Sequence, residues 1–338
     1  MMARQGIRPT MLSRPGERSG RRGLFRRLAK PALAAAAVLI AAILLYRALS
    51  NYSVADLVDA VAKVSTVRLL AAGGFAAASY LCLTGFDYLA LRYAGRPLAY
   101  PRAALASFTS LSLGHNIGFA ALSSGAVRYR FYSRWGLDAV DVGRVILFCG
   151  ATVGLGLMTL GGVALVTLSG TAAELTGLGR ATVLALGAAN LALVGSYLLV
   201  AGLRRAPFRL WRWRMEMPEL RLALAQVCIG ALNFSLVAAC LHQATMAIAD
   251  VPFFGVASVY VIANVTALIA HVPGGWGVIE TVVMRLLPGA EIIGAVLVFR
   301  IVYYLVPLAL GAAALAISEM VLRRRKNLAA GEKFAAAE

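Results

Sequence analysis

The 338-residue chain is 60% hydrophobic and only 14% charged, with a mean hydropathy of +0.78 and a formal net charge of +18. Soluble domains carry about a quarter charged residues, so these figures exclude a soluble globular protein and indicate a polytopic membrane protein. The basic excess does not point to nucleic acid, because the arginines lie in short runs flanking apolar stretches, where they set topology and meet anionic headgroups.

Residues 1–30 carry nine Lys or Arg against one acid, Glu17, and read as a solvated basic cytoplasmic arm. Residues 31–49 are too long an apolar run for a signal-peptide core and lack a small-residue cleavage site, so they form a first span. After Ser53, a plausible helix cap, Val54, Leu57, Val58 and Val61 recur at helical spacing, which predicts a short amphipathic helix on the far surface. Residues 69–91 form a second span, returning the chain to the cytoplasm at Arg92, Arg96 and Arg102. Four later stretches, 145–168, 181–203, 222–249 and 292–317, are each long and apolar enough to span. Between the second and third of these four, Arg204, Arg205, Arg209, Arg212, Arg214 and Arg221 make the densest internal basic run, a cytoplasmic loop.

Two further stretches are interrupted. Residues 103–126 contain Gly114-His115-Asn116-Ile117-Gly118 and lead into Ser123-Ser124-Gly125-Ala126-Val127-Arg128-Tyr129-Arg130. Residues 251–288 contain His271-Val272-Pro273-Gly274-Gly275-Trp276-Gly277-Val278-Ile279-Glu280. One crossing in either place would put a basic run outside, against the positive-inside bias. Residues 103–126 are too few for two crossings of about 20 each, and the same crossing count applies to 251–288, so each is expected to be a re-entrant helical hairpin. The expected architecture is all-α: six full spans plus two oppositely oriented hairpins in one domain over 31–322, with residues 323–338 as a cytoplasmic tail. The rival is eight full spans, which violates the charge bias twice. Interrupted helices that enter from opposite faces are the pattern of inverted-repeat transporters, whose site lies where the breaks meet.

The chemistry is expected at those breaks. Gly114, Gly118 and Gly125 permit the first and Pro273, Gly274, Gly275 and Gly277 the second; backbone freed there survives only against protein or a wet cavity. Arg128 and Arg130, just past the first break, are placed to hold a phosphate, or else only mark the cytoplasmic boundary. Glu280 is an acid in an apolar hairpin and needs a partner. Arg300, in the last span, is the natural one; Arg285 is a nearer but more superficial rival. His115 and Asn116 either line the first break or merely close its turn. Asp87, with Tyr88, is either a second intramembrane acid of the same kind or an ordinary boundary pair with the cytoplasmic Arg92. His271 reads as a cap of the second break, His242 as interfacial, and Tyr303 and Tyr304 as packing neighbours of Arg300. No metal motif or cofactor loop is present. Cys82, Cys149, Cys228 and Cys240 show no ligand spacing. Ser123 and Ser124 lack the context of a nucleophile.

At these residues the chain resembles the transmembrane domain of the lysylphosphatidylglycerol synthetase and flippase family, including its stand-alone members. The likeness runs from about residue 55 to 322. It is carried by Asp87-Tyr88 with Ala90-Leu91-Arg92-Tyr93, the Gly114-His115-Asn116 and Gly125 to Arg130 passages with Tyr132-Ser133, Pro273-Gly274-Gly275 with Gly277 and Glu280, and Arg300 with Tyr303-Tyr304. It implies an inner-membrane translocase that moves a polar, anionic or aminoacylated phospholipid such as lysylphosphatidylglycerol outward, alone, as a homo-oligomer or beside a lipid-modifying synthase. Ser124 and Trp276 depart from the small glycine and smaller aliphatic residue that relatives often carry. The larger relatives add a soluble aminoacyltransferase domain, so no lysyltransferase activity is expected of this chain. The alternatives are a membrane acyltransferase with His115 as base, oriented by Asn116, and a polar-solute transporter.

Overall fold

The computed structural model describes residues 54–117, 120–203, 208–210, 213–215, 217–270, 272–287 and 292–335. The basic arm, the expected span 31–49, Gly118 and His271 lie outside the described residues.

The chain is an all-α polytopic membrane protein. Helix α1 (Val54–Ala62) is the short amphipathic element; α2 (Thr66–Tyr93) is the first described span. Helices α3 (Tyr100–Ile117) and α4 (Ala120–Tyr132) form the first hairpin, followed by a 3-10 turn at Ser133–Trp135. Then come α5 (Ala139–Thr167), short α6 (Ser169–Thr176), α7 (Arg180–Leu203) and α8 (Leu220–Thr245). Helices α9 (Phe253–Ala270) and α10 (Val278–Leu286) make the second hairpin around a 3-10 turn at Pro273–Gly275. The last helix runs unbroken as α11 (Ile292–Arg300), a π turn at Ile301–Leu305 and α12 (Val306–Ala335). The arginine-rich loop before α8 holds a small antiparallel pair, β1 (Phe208–Leu210) with β2 (Trp213–Met215), which the sequence did not lead us to expect.

Among the described residues six helices are long and apolar enough to cross a membrane. Five coincide with expected spans, and the sixth is α9, here one limb of a hairpin. Its partner α10 has nine residues and so a length of about 14 Å, well short of a bilayer core of about 30 Å. Helix α4, at 13 residues, reaches about 20 Å and falls short in the same way.

The two hairpins open toward opposite ends of the molecule. At the open end of the first, Arg130 and Arg134 pair with Glu319 near the far end of the last helix. At the same end Arg96 Nε bonds Asp141 Oδ2 at 2.9 Å, and Asp141 and Asp138 close a capping box that starts α5. The second hairpin opens where His242 Nε2 donates to the Val251 carbonyl at 3.0 Å, beside the beginning of the last helix, where Gly294 meets Ile248. Their closed ends meet in the middle: a Cβ on Gly274 would lie 3.3 Å from the His115 carbonyl oxygen.

Around them α2, α5 and α8 form the framework. Helices α5 and α8 cross at Gly156 and Gly230, where a Cβ on either would meet partner backbone at 2.5 to 2.6 Å. Apolar burial adds little drive for association in lipid, so close backbone approach at small residues is what holds such a crossing. The buried layer, including Leu83, Phe86, Val145, Phe148, Val237, Leu241, Val256 and Phe299, lies between this framework and the hairpins.

Candidate functional site

At the first break α3 ends at Ile117 and α4 begins at Ala120. Gly114 and Gly125, expected to permit it, instead lie inside α3 and α4. Their role is packing. A Cβ on Gly114 would come 2.7 Å from Ser124 Cβ, so glycine lets the two limbs touch. The second break is conformational: Gly274, Gly275 and Gly277 have φ of 60°, 61° and 77°, the left-handed region in which an L side chain is strained. Pro273 opens that turn.

Each hairpin carries one member of a buried ion pair. In the first, Arg128 of α4 grips Asp87 of α2 with a fork, Nε to Oδ2 at 2.9 Å and Nη2 to Oδ1 at 2.7 Å. Both residues are buried, at 3% and 0% exposure. Tyr132 and Ser107 hydroxyls also donate to Asp87, and Arg128 Nη1 donates to Ser124 Oγ at 3.0 Å. Asp87 therefore does not pair with Arg92, whose guanidinium lies over the Tyr88 ring instead. Nor is Arg128 an open cation awaiting phosphate. Three of the five N–H groups of an arginine are engaged, and two remain without a partner among the described residues.

In the second, Glu280 of α10 meets Arg300 at the end of α11, Nε to Oε1 at 2.7 Å and Nη2 to Oε2 at 3.1 Å. Arg285 is exposed. Arg300 also donates to the carbonyls of Gly274 at 2.5 Å and Gly275 at 2.9 Å. Its guanidinium is sandwiched between Trp276 and Tyr304, 4.5 and 4.6 Å from their ring centroids, a stabilising cation–π arrangement. A helix break buried without partners would leave orphan carbonyls; Arg300 is the partner.

Between the pairs lies a cavity of about 340 Å³, within the usual range for a small-molecule site. Its apolar wall includes Leu83, Phe86, Leu111, Ile146, Phe234, Leu268 and Ile279; its polar groups are His115, Ser124, Arg128, Asn233, Tyr260, Asn264, Tyr303 and Tyr304. Gly274 and Gly275 also line it. Glu280 and Arg300 do not: they stand behind the turn that forms this wall. Arg130, expected beside Arg128, is turned away to Glu319 at the open end of the hairpin. Asn116 does not orient His115, because its Nδ2 donates to the Ser112 carbonyl at 3.0 Å and to the Tyr304 carbonyl at 3.5 Å. Among the described residues His115 Nδ1 is buried with no hydrogen-bond partner, and no acid among them holds the ring as a catalytic base requires.

Sequence reasoning missed Asn233, Tyr260 and Asn264 as cavity residues. The signal available was polar residues in otherwise apolar runs. Asn233 accepts from Ser79, which also bonds Tyr303, and Asn264 Nδ2 donates to the Tyr260 hydroxyl at 3.1 Å.

The chain is 32% identical over 267 residues to the uncharacterized protein slr0712 of Synechocystis sp., covering 77% of this chain and 83% of that protein. The chain belongs to the slr0712 family. It is also similar to the Escherichia coli K12 inner membrane protein YbhN, 29% identical over 251 residues, 72% of this chain and 78% of YbhN. No family model matches the chain. The likeness spans most of slr0712 and of YbhN and is not confined to one hairpin motif.

Proposed function

We propose that this protein is a lipid translocase of the inner membrane, a transporter and not an enzyme. It would carry the headgroup of a polar lipid through the central cavity while the acyl tails stay in the bilayer. The observation that carries the reading is the meeting of two opposed hairpins at a cavity with both an apolar wall and a set of polar groups. Opposed interrupted helices allow alternating access, one hairpin yielding to each face while the site between them stays intact. The inner-membrane location is supported by the name of YbhN, and cytoplasmic termini by the basic runs in the sequence.

The resemblance to the lysylphosphatidylglycerol synthetase and flippase family supports a phospholipid cargo, with an aminoacylated phosphatidylglycerol as the family's expectation. In that reading the unengaged N–H groups of Arg128 meet headgroup oxygens, and the protein acts alone, as a homo-oligomer or next to a lipid-modifying synthase. The acyltransferase alternative has less support, since His115 has no orienting partner among the described residues.

The test is leaflet-resolved lipid exchange in proteoliposomes. Wild-type protein should raise exchange of a polar lipid above protein-free vesicles. Gly150 lines the cavity, and a Cβ there meets nothing within 4 Å. Gly150→Leu should therefore obstruct the path without disturbing the fold, and unchanged exchange in that variant would count against the cavity as the route.

A further inference from the structure

The polar groups of the cavity differ from those that bind phosphate. Among its lining residues Arg128 is the one member of the Asp, Glu, Lys and Arg set, and Asp87 cancels its charge through two hydrogen bonds. Asp87 has no spare affinity to release, because Tyr132 and Ser107 also hold its oxygens. An anionic headgroup entering here would have to break that fork or remain an uncompensated charge in a low-dielectric site. At the second break the Gly275 N–H, one of the backbone donors that could converge on an anion, is already engaged. The Gly274 and Gly275 carbonyls accept from Arg300 behind the turn, and the Gly275 N–H is bonded to the Val272 carbonyl at 3.0 Å.

What the walls do offer is a scattered set of neutral donors and acceptors. Asn264 donates to Tyr260 and keeps its side-chain carbonyl. The Tyr304 side chain lines the space, and His115 Nδ1 is buried with no hydrogen-bond partner among the described residues. An orphaned buried polar atom calls for a ligand or water. These groups come from different elements, α3, α9 and the π turn, so they surround the space instead of marking one corner. Hydroxyl groups, which donate and accept at once, match such a set; a phosphate, which only accepts, does not. The rings of Phe234 and Tyr260 supply apolar faces beside them.

We infer that the cavity selects a lipid whose headgroup has no net charge and is rich in hydroxyls, a sugar or similar polyol, over an anionic phospholipid. This rests on the translocase reading and replaces its family-based cargo with one chosen by the chemistry of the walls.

The experiment uses the full chain in phosphatidylcholine vesicles containing a trace of monogalactosyl diacylglycerol or of phosphatidylglycerol. Both headgroups carry a vicinal diol, so periodate added outside reports the inner-leaflet pool of each as it emerges. A third arm, lysylphosphatidylglycerol, is read with an impermeant amine reagent. The galactolipid should emerge faster than either phospholipid by about tenfold. Gly150→Lys, which adds a cation where the wall has room, should move the galactolipid to phosphatidylglycerol ratio by about fivefold toward the anion. Asn264→Leu should slow the galactolipid by about fivefold with the melting temperature unchanged. Equal or faster movement of phosphatidylglycerol or its lysyl ester overturns the inference and leaves the translocase reading standing. An Asn264→Leu protein with unaltered rate and preference overturns it as well. Movement of none of the three lipids overturns both.

Discussion

The two hairpins each bury a forked arginine–carboxylate pair, yet the pairs do different work. Arg128 belongs to a hairpin and reaches back to an acid on the framework; its guanidinium forms part of the cavity wall and keeps two N–H groups unengaged. Arg300 belongs to the last helix and reaches out to an acid on a hairpin; it is consumed by the Glu280 carboxylate, two glycine carbonyls and two aromatic faces. The first pair docks a hairpin and leaves chemistry in the cavity. The second acts as the missing hydrogen-bond partner of a broken backbone. A charge in the interior of a membrane protein is therefore not in itself a ligand site; what decides is whether its donors are already satisfied.

The largest expected effects come from breaking either pair. Arg128→Ala and Arg300→Ala should each destabilise the protein by about 3–5 kcal/mol, since each leaves a carboxylate buried and alone. Denaturant titration in detergent reads the loss. The comparison sharpens when both charges are removed together. Asp87→Asn with Arg128→Gln should recover most of that stability. Glu280→Gln with Arg300→Gln should recover less, because the carbonyls of Gly274 and Gly275 lose a charged donor, a bond worth about 1.5–3 kcal/mol. Equal recovery in the two doubles would erase the distinction drawn here.

A smaller contrast separates the glycines of the two hairpins. Gly274→Ala should cost about 1–2 kcal/mol for its left-handed backbone alone, and its Cβ would meet the Trp276 ring at 2.8 Å. Gly125→Ala should cost less, since φ is ordinary and the Cβ would meet only the mobile tip of Ile146 at 2.8 Å. The smallest effect is expected at Gly150, exposed and in mid-helix: Gly150→Ala should be neutral to stabilising by about 0.5–1 kcal/mol, so any transport loss in larger variants there is a matter of obstruction.

Much of this was legible in the residues. Continuous apolar runs and arginine placement mark the spans, and the crossing count makes hairpins of 103–126 and 251–288. Pro273-Gly274-Gly275 forecasts a break because only such residues accept that backbone, and Glu280 demanded Arg300. What stayed hidden depends on three-dimensional register. Arg128 and Arg130 differ by two positions, about 200° around a helix, so one faces the cavity and Asp87 while the other faces Glu319. Asp87 lies five residues before Arg92 in sequence, but one side of α2 is covered by the first hairpin, and burial favours the partner there. The glycines of the first hairpin looked like breakers because close helix approach and chain reversal both favour glycine.

The central claim is that the two hairpins enter from opposite faces and each returns to the face it left. In a protein with its four cysteines replaced, impermeant thiol reagents applied to sealed, oriented vesicles test it directly on Pro97→Cys, Ser133→Cys and Pro252→Cys, all at exposed positions. The account predicts that Pro97→Cys and Ser133→Cys are labelled from one side and Pro252→Cys only from the other. Labelling of Pro97→Cys and Ser133→Cys from opposite sides would make the first hairpin a full crossing and contradict it.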